Sequence, residues 1–319
     1  MSAFHFGDFH LIPSFGLRGS YWGSTRPQAQ GLVVGTNATR FARDAQVDLV
    51  FPSLAKVVDS PARWMGTKLK HVIEPRASYR YVSGIADFQK VIRFDDIELL
   101  NNTNEAEVSV ANRIYSKDRD GRVRELLSWT VTHRRYFDPD FGGNLVTGTR
   151  NVFQSSTDLT AFAFFDQARR YSPVVNAFRA QPRPGLGVEW RADYDPLRGG
   201  ITNSSVTADG RVDNVVLSLG HTQVKSATLL SPPGNQFRGF IGLGRENRRG
   251  WNSGFFAVYD YRIGRLQFAQ TQVTYNSDCC GLSFQYRRFS FGTRNDNQFR
   301  VAFVVANIGS FGTLRRQER

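Results

Sequence analysis

The sequence predicts an all-β fold: an antiparallel transmembrane β-barrel of about 14 strands. Three observations carry the prediction. Apolar residues recur with period two rather than 3.6. The alternating segments run to about ten residues, the spanning length of a tilted strand. Tyr, Phe and Trp gather near segment ends, as in the aromatic girdles of such barrels. No run approaches the ~18 apolar residues of a spanning helix, and no second apolar pattern is present that could fill a globular interior. The rival all-β reading is a soluble sandwich, which turns its apolar faces inward against each other. A membrane barrel instead turns them out to lipid and lines its interior with polar groups and glycine.

In chain order the segments are 10–22, 45–58, 67–82, 104–116, 123–136, 156–165, 184–195, 201–210, 214–224, 236–246, 252–263, 265–276, 279–291 and 297–307. Alternation is weakest in the first two and in 156–165. In 214–224, Val215, Leu217 and Leu219 oppose Asn214, Val216, Ser218 and Gly220. In 236–246, Phe237, Ile241 and Leu243 oppose Arg238, Phe240 and Gly242. Phe255, Ala257, Tyr259, Tyr261 and Ile263 oppose Gly254, Phe256, Val258, Asp260 and Arg262. Leu282, Phe284 and Tyr286 oppose Ser283, Gln285 and Arg287, and Phe299, Val301, Phe303 and Val305 oppose Gln298, Arg300, Ala302 and Val304. Each is a strand with one apolar face and one polar or small face. No Pro-, Gly- or Ser-rich linker divides the chain, so a single domain over 1–319 is expected.

Barrels of this kind have short periplasmic turns and longer outer loops. With the last strand ending in the periplasm, alternation puts the long connections 83–103, 137–151 and 225–235 outside. It puts the short ones, 59–66, 117–122, 211–213, 247–250 and 276–278, inside. The connection 166–183 breaks the pattern and has room to conceal a strand. After 276–278 come the only two cysteines, Cys279 and Cys280, at the start of a strand whose alternation sends their sulfurs to opposite faces. Neighbouring α-carbons sit about 3.8 Å apart, short of the ~5.5–6 Å that a disulfide favours, so each thiol stays free or finds a partner elsewhere. The options are inert thiols, a metal site, and bonds to cysteines outside this chain. An oxidising periplasm favours the last, and two adjacent Cys without a nearby His make a poor metal site.

The chain carries net charge +13, and only six of its 41 basic residues are Lys. Guanidinium groups suit bidentate contact with phosphate or carboxylate, which leaves nucleic acid, lipid phosphate, pairing with the 28 acids and plain solvated charge all open. His5, His10, His71, His133 and His221 show no metal-ligand spacing, and neither a GxSxG elbow nor a GxGxxG loop is present. No catalytic residue, metal or cofactor is expected. His71 and Glu74 fall on opposite strand faces. Asp95, Asp96 and Glu98 sit in an expected outer loop, either as solvated charge or as a bridge through divalent ions to lipid phosphates. The first residues lack the basic and apolar stretches of a secretory signal.

Four stretches, LKHVIEPRASYRYV (69–82), NEAEVSVANRIYSKDRDGR (104–122), YSPVVNAFRAQPRPGLGVEWRADYDPLRGG (171–200) and YNSDCCGLSFQYRRF (275–289), resemble the LptD family, also called OstA or Imp. These are lipopolysaccharide-assembly proteins of the Gram-negative outer membrane, and CCG after a strand end together with HVIEP is the specific part of the resemblance. The resemblance implies a periplasmic N-terminal jelly roll, then a barrel of about 26 strands holding an LptE-like lipoprotein plug. A periplasmic Lpt bridge delivers the lipid, which leaves laterally between the first and last strands.

It implies that Cys279 and Cys280 bond to two cysteines of the N-terminal region. It implies also that 297–309, with Phe299, Val301, Phe303 and Val305, is one side of the lateral gate. This chain is then the C-terminal part of the barrel, with the jelly roll absent and the last strand left as an unpaired edge. Arg238, Arg287 and Arg300 face the lumen, available to the plug or to anionic sugar phosphates. The expected function is a translocon in the cell outer membrane, with lipopolysaccharide, plug, bridge and outer-membrane lipid as partners, no nucleic acid and no enzymatic role. A porin or substrate-specific channel accounts for the strands but not the cysteines. A soluble β-sandwich binding nucleic acid through Arg and aromatics is the third reading.

Overall fold

A computed structural model of the chain describes residues 4–25, 33–59, 62, 65–85, 90–91, 100–138, 169–225, 233–244, 249–291, 294–305 and 309–312. Their regular structure is β throughout, and no helix among them is long and apolar enough to cross a membrane. In chain order the strands are β1 (Phe4–Phe6), β2 (Phe9–Trp22), β3 (Ala38–Val50), β4 (Leu54–Asp59), β5 (Lys68–Ser83), β6 (Thr103–Lys117), β7 (Val123–Tyr136), β8 (Val174–Arg183), β9 (Leu186–Asp195), β10 (Gly200–Val212), β11 (Val215–Val224), β12 (Gly234–Leu243), β13 (Gly250–Asp260), β14 (Arg265–Asn276), β15 (Cys280–Phe291), β16 (Arg294–Val305) and β17 (Gly309–Gly312). The chain forms two compact units, one of 1–179, 191–204 and 224–233, the other of 180–190, 205–223 and 234–319. Strands β1 to β7 lie wholly in the first and β12 to β17 in the second.

In the first unit β2 pairs β3, β3 and β4 both pair β5, β5 pairs β6 and β6 pairs β7, all antiparallel. Residues opposite one another in a ladder share a face, so the registers assemble rows. Leu11, Leu49, Ala77, Val108 and His133 make one such row, and Ile12, Asp48, Ser78, Glu107 and Arg134 make the neighbouring row on the other face. The first face carries Phe15, Leu17, Phe41, Tyr79, Tyr81 and Val108, all exposed, with Phe15 at 82%. A sandwich would bury such a face. Here the large apolar side chains are the solvent-facing ones.

The opposite face holds a network of ion pairs. Arg134 reaches Glu107 Oε2 at 2.6 Å through Nε and Glu105 Oε1 at 3.2 Å through Nη1. Arg113 bridges Glu74 and Glu125 at 2.9 and 3.0 Å, Arg80 meets Asp44 at 2.8 Å and Arg76 meets Asp48 at 3.0 Å. Beyond the end of β5 the chain returns over this same face, where Ile85 and Leu100 pack with Ala42 and Val82 as a small buried cluster. The turn into it needs Gly84, at φ +92°, because a Cβ there would overlap the carbonyl oxygen of Phe41. Asn102 clasps the returning chain, accepting from Ile85 N–H and donating to Ile85 C=O, each at 3.0 Å.

The second unit repeats the two-faced pattern through the antiparallel succession β12 to β17. Ile241, Phe255, Thr271, Tyr286 and Phe299 form a row on its apolar face, with Ile241, Phe255 and Phe299 exposed. Gly242, Gly254, Gln272, Gln285 and Arg300 form the matching row on the other.

Three expectations need correction and a fourth is met. The single strand expected over 45–58 is two, β3 and β4, separated at Phe51, Pro52 and Ser53, because proline has no N–H to donate to a ladder. The irregular connection 166–183 does conceal a strand, β8. The last strand is not β16: β17 pairs with it from Ala302↔Gly312 to Val305↔Gly309, so the backbone edge at Phe303 and Val305 is covered. Only Cys280, not Cys279, belongs to β15. The expected segment 156–165 and the acids Asp95, Asp96 and Glu98 lie outside the described residues.

Replacing Arg134, whose side chain is only 11% exposed, strands Glu105 and Glu107 in a site that excludes most water. Uncompensated buried charge of this kind costs about 3–5 kcal/mol. Arg134→Met is therefore expected to lower the urea midpoint of the detergent-folded chain clearly, whereas Lys68→Met, which breaks an exposed pair with Asp59, leaves it in place.

Candidate functional site: a polar sheet face and a cysteine turn

The polar face of the second unit is built from alternate residues of β12 to β16. It brings together the three arginines expected there, since Arg238 opposes Val258, Arg287 opposes Gln270 and Gln298, and Arg300 opposes Gln285. They are not equivalent. Arg238 lies flat over Gly220, whose added Cβ would come within 3.0 Å of its side chain, and donates to Thr222 Oγ1 at 3.3 Å. Arg300 Nη2 donates to Gln298 Oε1 at 3.1 Å. Arg287 Nε is buried without a hydrogen-bond partner.

Between Arg238 and Arg287 runs a stripe of rings that the sequence reading passed over. Phe240 stands opposite Phe256, the rings of Phe256 and Phe268 are 5.7 Å apart, and those of Phe268 and Phe289 5.0 Å. Gly242 and Gly254 leave room for the Phe240 ring. The signal was available: these Phe positions share parity with the arginines. The ion-pair network of the first unit was missed in the same way. Three of its carboxylates sit in the stretches quoted above, Glu74 in HVIEP and Glu105 and Glu107 in NEAEV. Asp195 of ADYDP, 2% exposed, takes the Arg169 guanidinium bidentately at 2.8 and 3.2 Å.

The cysteines sit on a three-residue turn between β14 and β15. Ser277 organises it: its N–H donates to Cys280 C=O at 2.7 Å, its hydroxyl donates to the same oxygen at 3.0 Å, and Cys280 N–H donates back to Ser277 Oγ at 3.1 Å. Gly281 follows, and a Cβ there would come within 2.8 Å of Asn276 Oδ1, so that side chain would have to move. Both thiols are free, Cys279 exposed and Cys280 half-buried. The expectation that their sulfurs point to opposite faces is wrong. Cys279 is in a bend rather than an extended strand, so strand alternation does not govern it, and the two Sγ atoms are 2.6 Å apart. The Cys279 thiol is held below its ordinary value, first by the hydrogen bond with Cys280 and then by Ser277. The four residues expected at the gate, Phe299, Val301, Phe303 and Val305, share the apolar face of β16. Phe299 is 80% exposed, with its ring 5.0 Å from that of Tyr286.

Compared with known families, residues 3–246 match the family described as LptD, LPS transport system D. The chain belongs to the LptD family. The match ends before the cysteine turn and β16 of this LptD member. Among curated protein sequences none matches it significantly. Solved structures similar to it include two engineered variants of the Rhodopseudomonas blastica porin. Each is 10% identical, with 93% of this chain and 90% of the porin covered and TM-scores of 0.34 and 0.35. Acinetobacter baumannii OccAB4 is also similar, at 10% identity, 93% and 97% coverage and a TM-score of 0.26. These likenesses are too slight to carry an argument.

Because its thiolate is favoured by two hydrogen bonds, Cys279 is the nucleophile of the pair. Limiting iodoacetamide on the reduced chain is expected to label Cys279 before Cys280, read by fragment-ion mapping. The alkylation rate should rise at lower pH in the wild type than in Cys280→Ala, which removes the larger of the two hydrogen bonds.

Proposed function

We propose that this chain forms barrel wall in an outer-membrane translocon that delivers lipopolysaccharide to the outer leaflet through a lateral opening. One observation carries the reading: in a member of an LPS-transport family, exposed apolar rows back directly onto a charged and amide-rich face. The apolar rows suit lipid, and the polar face suits a wet interior. In this reading 297–309 forms one side of the opening, an LptE-like plug and the periplasmic Lpt bridge are partners, and Cys279 and Cys280 anchor an N-terminal periplasmic domain by two disulfides. What supports the last point is that both thiols are free at the end of a strand, with Cys279 exposed.

The localisation test is fractionation: recovery with the outer membrane in a heat-modifiable form is expected, and recovery in the soluble fraction would overturn the reading. For the opening, a cysteine at Val301 bonded to one on the first barrel strand of the protein carrying its N-terminal domain is expected to stop lipopolysaccharide reaching the surface while assembly proceeds. Undiminished surface lipopolysaccharide from fully bonded protein removes β16 from the gate. For the anchors, non-reducing peptide maps should show Cys279 and Cys280 each joined to an upstream cysteine, and finding them joined to one another refutes the assignment.

A further inference from the structure

Two arginines stand together on the polar face of the second unit, and among the described residues neither makes an ion pair. Arg287 is opposite Gln298 and Gln285 is opposite Arg300, so the two arginines are diagonal neighbours on adjacent strands, β15 and β16, within reach of each other for long side chains. Arg300 extends along its own strand to Gln298 Oε1 at 3.1 Å, toward the strand position that faces Arg287. Arg287 Nε is buried and unpartnered, and so is Oε1 of Gln285, a residue 4% exposed. Gln285 is held in place from its other end, where Nε2 donates to Gln272 Oε1 at 3.1 Å.

The nearest acids on this face do not answer the charge. Asp260 is held by Gln236 and Gln267, and Asp296, opposite Phe289 and the other diagonal neighbour of Arg287, makes contacts of its own but no ion pair with either arginine. Among the described residues neither Arg287 nor Arg300 makes an ion pair. The contrast with the first unit is plain, where Arg76, Arg80, Arg113 and Arg134 all have carboxylates.

We propose that Arg287 and Arg300, with the amide NH2 of Gln298, bind the phosphate of a phosphorylated sugar, while Gln285 Oε1 accepts from a sugar hydroxyl. Two guanidinium forks offer more in-plane donors than the two oxygens of one carboxylate accept, while a phosphomonoester presents three terminal oxygens. The rings of Phe289 and Phe268, one pair along on the same face, give a sugar ring a flat apolar wall. This inference rests on the reading of the chain as a lipopolysaccharide conduit and names a point on that route where the phosphorylated part is held.

The test uses the full chain in detergent, titrated calorimetrically with glucosamine 1-phosphate, glucosamine and inorganic phosphate. Binding is expected for the sugar phosphate, more weakly for inorganic phosphate and not for glucosamine. Arg287→Gln with Arg300→Gln should weaken sugar-phosphate binding at least tenfold, while Arg249→Gln, in an exposed turn, leaves it unchanged. Gln298→Glu places a carboxylate between the two guanidiniums, and it should abolish binding and raise the thermal midpoint, a gain that loss of structure cannot mimic. Unchanged affinity in the double variant, or a lowered midpoint in Gln298→Glu, overturns the site. Equal affinity for inorganic phosphate overturns the sugar. A double variant that keeps its affinity but sheds a co-purifying lipoprotein assigns the arginines to that protein's carboxylates instead and overturns the proposal. Loss of surface lipopolysaccharide on depletion of the protein is scored separately, so the conduit reading stands or falls independently of the titration.

Discussion

The pairing of each strand with its neighbours is the constraint on which the rest of this molecule depends. An antiparallel ladder satisfies backbone donors and acceptors, and in doing so it fixes which residues share a face. A slip of one residue would send Leu11, Leu49, Ala77 and Val108 to the polar side and bring Asp48 and Glu107 out among the apolar rows. Register is therefore the variable through which sequence acts. The ion pairs of the first unit enforce it, since Arg113 can bridge Glu74 and Glu125 only while β5, β6 and β7 keep their alignment.

The two units use the same architecture for different electrostatics. In the first, charges of both signs alternate across neighbouring strands and neutralise each other, so the polar face is occupied by its own contacts. In the second, glutamines, glycines and phenylalanines take most of those positions, and the remaining arginines have amides rather than carboxylates beside them. A face of the first kind is stiff and self-sufficient. One of the second kind has hydrogen-bonding capacity left over, which is what an interior in contact with a passing or resident anion requires.

Where the period-two pattern was clean, as in β12 to β16, the sequence was enough to place strands and sort faces. It failed where a local feature disturbed the period. Arg43 sits among Phe41, Ala45, Val47 and Leu49 on the apolar side of β3, so the strand was read as starting seven residues late. Pro182 and two arginines obscured β8. The ion-pair partners were illegible for a different reason: alternation assigns a residue to a face, but which acid meets which arginine depends on register between strands, which no single segment records. The cysteine geometry failed because a bend of one residue suspends the rule from which it was inferred. The Phe240 to Phe289 stripe could have been seen, since nothing beyond parity was needed.

The Asn102 clasp on Ile85 has a consequence for how such a protein diversifies. By tying the two feet of a connection together, it seals the sheet from whatever lies between them. Lengthening a closed loop costs only about 0.6 kcal/mol for each doubling, so the intervening stretch can be rewritten, extended or shortened without the alteration reaching the ladder below.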